Sequence, residues 1–320
     1  MIKVENTLAK HISAAGDGAA YDAACKRLLA NKIILAWIMK SCLEEYRNCN
    51  VKEIADRYIE GTPQISQEPV NPDEITENEQ IYGMNTEDST IHEGTITYDI
   101  RFRALVPGTD ERVSLFINIE AQSNFYPGYP IIKRAIYYCS RMLSSQYGTE
   151  FTAPQYAKIK KVYSIWLCKN PPEKRKNTIN RYSIKEENLV GSVSESIEDY
   201  DLLSAVMLCM GGESAEADSG ILKLLEVLLS SEREADEKKK ILQEEFFIEM
   251  DKTFESEVQL MCNLSKGVEE KGIQKGIQEG VILSLRNLMK SMKWTKEQAM
   301  EALGIPEAER EEYTKALAKK

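Results

Sequence analysis

Residues Gly94–Ser123 read GTITYDIRFRALVPGTDERVSLFINIEAQS, and the rest of the chain is organised around them. From Ile96, the residues Ile96, Tyr98, Ile100, Phe102 and Ala104 alternate with Thr97, Asp99, Arg101 and Arg103. From Val113, the residues Val113, Leu115, Ile117, Ile119 and Ala121 alternate with Ser114, Phe116, Asn118, Glu120 and Gln122. A period of two marks strands with one buried face. Pro107-Gly108 and Asp110, between the two runs, are turn residues.

Centring the turn on Pro107–Asp110 sets Asp99 opposite Asn118 and diagonal to Glu120. Diagonal neighbours have Cβ atoms roughly 7–8 Å apart, within reach of one shared cation. Asp99, Glu120 and Gln122 are thereby expected on one wet face of a hairpin. A one-residue slip would instead expose the apolar set.

Asp99, twenty-one residues before Glu120-Ala121-Gln122, resembles the D…(D/E)-x-K core of PD-(D/E)XK nucleases. The pattern is more similar to the Rpn-like bacterial group of PD-(D/E)XK nuclease family transposases, where E-x-Q often replaces E-x-K. The likeness continues upstream in Tyr21-Asp22, Lys26-Arg27-Leu28-Leu29, Asn31-Lys32 and Glu44-Glu45-Tyr46. Downstream it takes in Tyr129-Pro130, Arg134 and Tyr137-Tyr138, so that it covers residues 20–210.

The resemblance implies a mixed α/β fold: a restriction-endonuclease-like sheet flanked by helices, here with an α-helical C-terminal extension. It also implies hydrolysis of a DNA phosphodiester with Mg²⁺, or Mn²⁺ in its place. Asp99, Glu120 and the backbone carbonyl of Ala121 would hold the ion, a hard cation that stabilises phosphate charge. Gln122 stands where a lysine usually orients the attacking water; it can hydrogen-bond water but carries no charge. The resemblance places an arginine at Arg134, and Lys133 and Arg141 on the same segment are further candidates for phosphate contact. An acid on the first core helix often joins such sites. Glu45 is the first choice for it and Glu44 the other.

Charge is acidic overall, 41 Lys+Arg against 51 Asp+Glu, but unevenly spread. Residues 53–93 hold eleven acids and one base, whereas residues 121–185 hold twelve bases and two acids. The basic stretch follows the candidate site, as a phosphate-backbone partner requires. It could equally neutralise the acidic stretch across the fold. Seven cysteines without a C-x-x-C suit a reducing, cytoplasmic setting and small core positions. Only His11 and His92 are present, which excludes a histidine-based triad or an HExxH zinc site. No apolar run has membrane-spanning length.

Along the chain, residues 1–20 read as a flexible leader and 21–210 as the nuclease-like domain. Residues 211–265 read as a charged helical region, and 266–320 as a glycine-repeat helix with a small helical tail. Apolar spacing predicts helices over Tyr21–Cys49, Val51–Ile59 and Pro130–Tyr147. Residues 62–93 are an acidic connector. Strands are expected over Lys158–Cys168 and Asn177–Lys185, and helices over Asp199–Met210, Ser219–Ser230 and Glu232–Glu257. Glycines at 267, 272, 276 and 280 mark a helical linker or self-association strip, and the C-terminal helices suggest a homodimer. The leading functional expectation is a metal-dependent endonuclease, with a possible tie to transposition or recombination. The alternative is a catalytically weak or inactive nuclease-fold protein that binds nucleic acid or another protein. Gln122 and the net acidity favour that alternative.

Overall fold

The computed structural model describes residues 20–65, 87–90, 94–108, 112–120, 125–211, 220–230 and 233–318. Ala121, Gln122, both histidines, the leader before residue 20 and most of the acidic connector lie outside the described residues. Of Glu120, only the backbone is described. The fold class is mixed α/β. The chain divides into two compact units, one running Ala19–Asn263 and the other containing Leu264–Lys320.

Helix α1 spans residues 20–29 and α2 spans Lys32–Cys42. The single helix expected from Tyr21 to Cys49 is broken at Asn31, which is extended and accepts the Ile33 amide at 3.0 Å as an N-cap. A 3₁₀ turn, Glu44–Tyr46, follows, and the Tyr46 hydroxyl donates to the Leu105 carbonyl at 2.8 Å. Next, α3 (Val51–Glu53) runs on into a π-helical turn, Ile54–Tyr58.

The main sheet contains β1 (Gln64–Ile65), β4 (Ile100–Leu105), β5 (Arg112–Glu120), β6 (Val162–Cys168), β7 (Thr178–Ser183) and β8 (Leu203–Cys209). Their order is β1-β4-β5-β6-β8-β7, with β5–β6 and β6–β8 parallel and the other pairs antiparallel. The β4–β5 hairpin pairs Ile100 with Ile117 and Leu105 with Arg112, the register that the Pro107–Asp110 turn predicts. Gly108 takes φ +77° in that turn, a conformation other residues resist.

Two expectations are corrected. The strand from Ile96 to Ala104 is not continuous. Gly94–Thr97 forms β3, which pairs with β2 (Glu87–Thr90) in a separate ribbon, and Tyr98 and Asp99 make the bend before β4. Asp199–Met210 is not a helix: a short α5 (Ile197–Tyr200) leads into β8, buried from Ser204 to Cys209. A short apolar run carries no periodicity to distinguish helix from strand; a parallel strand covered on both faces reads the same way.

Helix α4 (Ile131–Ser144) covers one face of the sheet through Ala135, Tyr138, Cys139 and Met142, packed on Trp166 and Met207. Trp166 is 1% exposed, stacks obliquely on Tyr138 at 5.7 Å and donates from Nε1 to Ser164 Oγ at 2.8 Å. The intervening β6 residues Tyr163, Ile165 and Leu167 are buried as well, so both faces are covered.

The described residues between 220 and 263 pack with this unit rather than apart from it, since their apolar positions find partners there. Helix α6 is Gly220–Leu229 and α7 is Ala235–Glu244. Phe246 meets Trp37 edge-on at 5.5 Å, and Cys25 lies 3.8 Å from Met261. The charged helix expected over Glu232–Glu257 breaks near Phe247, where φ is +55°. Helix α8 (Lys252–Met292) begins in the first unit.

In the second unit, the rest of α8 joins α9 (Lys296–Ala302) and α10 (Glu307–Ala318) around Leu285, Ala299, Met300 and Ile305. Thr295 caps α9 in a reciprocal box with Gln298. Among the described residues, no helix is long and apolar enough to cross a membrane.

Because Trp166 joins sheet to helix, Trp166→Ala is expected to lower unfolding free energy by about 3–5 kcal/mol. Urea denaturation followed by circular dichroism measures this directly.

Candidate functional site

The chemistry-bearing residues gather at the end of the sheet where β5, β6 and β8 finish. Glu120 closes β5 in register with Cys168, which closes β6, and Cys168 is in register with Cys209 at the end of β8. The bend at Tyr98–Asp99 arrives at this end, because Ile100 starts the strand that runs back along β5.

Asp99 is not on a wet face. It is 3% exposed, and its Oδ1 lies 2.8 Å from Lys26 Nζ. The same ammonium is 2.8 Å from Asp22 Oδ2, one turn earlier on α1. Lys26 is itself 1% exposed. Burial pulls its pKa down, but the Asp99 charge and hydrogen bonds to Asp22 and Asp99 outweigh that and leave it raised. Asp99, Lys26 and Asp22 are therefore a carboxylate–ammonium–carboxylate cluster whose inner members are out of water.

Helix α4 brings Arg134 to the same end. Its Nε and Nη2 donate to the Tyr138 hydroxyl at 2.9 and 2.6 Å, and Nη1 donates to the Tyr129 hydroxyl at 3.1 Å. The guanidinium lies over the rings of Tyr138 and Trp166, at 5.1 and 5.6 Å from their centroids. Burial raises the Tyr138 pKa against the pull of Arg134, and the Asp99 charge adds to the rise. Lys133 is exposed on this helix. Arg141 is 3% exposed and donates to the Tyr137 hydroxyl at 3.3 Å, which makes it part of the packed helix rather than a surface contact for phosphate.

Beyond β6, Lys169 donates to the Tyr21 hydroxyl at 2.6 Å. Arg175 stands 5.1 Å over the Phe125 ring. A cationic rim thus continues along the loop to β7. Beneath it, a hydrogen bond from Cys168 pulls the Cys209 thiol below the ordinary thiol range, against the opposing effect of burial.

Glu45 is elsewhere. It accepts from Tyr163 Oη at 2.5 Å and lies 3.7 Å from Lys161 Nζ, which pairs with Asp201 at 2.6 Å. Lys161 precedes β6 and Asp201 precedes β8, so this network occupies the end of the parallel strands opposite Asp99. Six residue steps along β6 lead from Tyr163 to Lys169 just beyond its end, roughly 20 Å. Glu44 is paired with Arg181, whose hydrogen bond holds the carboxyl below its usual range despite the opposing effect of burial. The structure brings neither glutamate to Asp99; the α1 acid near Asp99 is Asp22.

Asp22 and Lys26 stand among the residues that carry the resemblance, but the sequence reading assigns neither a place at the site. Their signal was present: an i,i+4 ion pair on the apolar stripe that continues through Leu29 and Ile33.

The described residues thus define a mixed α/β protein with a buried acid–lysine cluster and a cationic rim at one sheet end. No family model matches the chain, no curated protein does, and no solved structure does.

Two outcomes are expected from this geometry. Glu45→Ala should cost about 1–3 kcal/mol of stability in urea melts, because it removes the acceptor of the Tyr163 hydroxyl. In a pH titration of ultraviolet thiolate absorbance, Cys168→Ala should move the Cys209 transition upward, toward the ordinary thiol range.

Proposed function

We propose that this chain is a metal-dependent endonuclease of the PD-(D/E)XK kind, acting on DNA in the cytoplasm, and similar to the Rpn-like transposase-associated group. The observation that carries the reading is the position of Asp99. It stands in the bend before β4, at the sheet end where β5 closes on Glu120, with cationic Arg134 on the following helix. A mixed sheet covered on one face by α4, with an antiparallel hairpin leading into two parallel strands, agrees with a restriction-endonuclease-like core.

The donor chemistry suits a hard cation, since Asp99 and Asp22 already share a buried ammonium. Asp99 and Glu120 would hold Mg²⁺ or Mn²⁺, with the Ala121 carbonyl as a further oxygen. Once bound, the ion would supply charge stabilisation at the phosphate and a more acidic water. Among the described residues no group of three His, Cys, Asp or Glu converges. Gln122 would orient water by hydrogen bonding. Arg134, held by Tyr129 and Tyr138, would meet a phosphate oxygen, with Lys133 exposed beside it. Pairing through the C-terminal helices would give a homodimer able to cut both strands.

The Lys26–Asp99 pair is also what favours a second reading. A carboxylate neutralised within the fold needs no metal, as in a nuclease-fold protein that only binds nucleic acid or protein.

Plasmid cleavage by the purified protein with Mg²⁺ and with Mn²⁺ separates the two readings. Nicking that is lost in both Asp99→Ala and Glu120→Ala is the expected result. Folded wild type that cuts nothing across metals and salt would leave the binding protein, and cutting that survives both substitutions would remove Asp99 and Glu120 from the chemistry.

A further inference from the structure

Lys26 does not resemble an ordinary surface ion pair. Its side chain is 2% accessible and touches two carboxylates of unequal burial: Asp99 at 4% and Asp22 at 24%. Both contacts are 2.8 Å. Asp99 belongs to the sheet, whereas Asp22 is on the lysine's own helix, four residues earlier. The ammonium bridges the two carboxylates, and only one of them belongs to the sheet.

We propose that Lys26 is an exchangeable internal counter-ion. It neutralises Asp99 while no metal is bound, and it withdraws onto Asp22 when a divalent cation takes Asp99. The inference rests on the metal-binding reading above and adds a reason for the second acid. The Lys26 contact offsets part of the cost of holding the Asp99 carboxylate out of water. With both Lys26 and a divalent ion against it, two positive charges would crowd one group. Asp22 resolves the conflict because it sits within the same helical turn, and it is open enough to water to carry the pair cheaply. Because Lys26 Nζ already touches Asp22, the exchange needs it only to give up the Asp99 contact.

Opposite effects follow for the two members. Lys26→Met removes the competitor, so Mn²⁺ should bind more tightly, by roughly tenfold or more. Asp22→Asn removes the resting place of the displaced ammonium, so Mn²⁺ should bind more weakly, by a similar factor. In the double variant, the Asp22 substitution should lose its effect, because no ammonium remains to be housed.

The test is Mn²⁺ affinity of the full chain by calorimetry, with paramagnetic resonance of free Mn²⁺ as a second readout, across wild type, both single variants and the double. Thermal melts with and without Mn²⁺ accompany it. Lys26→Met should melt lower than wild type without metal and regain the loss when Mn²⁺ is added. Equal affinity in wild type and Lys26→Met overturns the counter-ion exchange and leaves the metal site standing. No Mn²⁺ binding by either removes the metal site and the exchange together. An Asp22→Asn effect that persists in the double variant makes Asp22 a direct ligand and overturns its role as the ammonium's station. Should Lys26→Met not fold even with Mn²⁺, Asp22→Asn alone decides: unchanged affinity overturns the proposal.

Discussion

A carboxylate removed from water must be met by a positive charge, and in this fold Asp99 is met by Lys26. That single pairing joins three elements. It fixes α1 against the bend where one strand run gives way to the next, and it holds that bend at the end of β5. Breaking such a pair leaves a bare charge inside, so the position of α1 and the course of the chain at Tyr98–Asp99 depend on each other. The rest of the site follows the same end of the sheet: Arg134 rises from α4 beside Tyr138, and Lys169 emerges where β6 stops.

The two ends of β6 are built from similar parts with different results. At its start, Lys161 is shared by Glu45 and Asp201, while Tyr163 donates to Glu45. Burial, reinforced by the Glu45 charge, keeps Tyr163 protonated and therefore a donor. This network is linked to the 3₁₀ turn after α2 through Glu45. At its finish, Lys26 is shared by Asp99 and Asp22, and the surrounding bases lie on α4 and the loop to β7. The sheet thus has a tethered end and an end rich in exposed or aromatic-backed cations.

The hairpin was legible because two local facts agree: the period of two and a Pro-Gly turn that fixes the register. Ile100 does pair with Ile117. Alternation could not reveal that the first strand stops at Thr97, since a bend between two strands leaves the pattern of residue types intact. Nor could it reveal that Asp99 is covered, because the covering group is a lysine seventy-three positions earlier. Glu44-Glu45 drew attention as a conspicuous acidic pair, yet the chain turns at Leu43 and carries both to the far end of β6. Asp22 was less conspicuous, being a lone acid next to an aromatic residue. Leu203–Cys209 reads equally as helix or strand, and only its neighbours on both sides decide in favour of strand. What the sequence could not express, in each case, was a contact made across a long separation.

The outer strands have a further consequence. One edge is β1, two residues long, and the other is β7, where Asn180 is exposed and Arg181 is paired with Glu44. Short and charged borders offer a poor template for a foreign strand. The main sheet should therefore resist the edge-to-edge stacking by which a foreign strand would lengthen it.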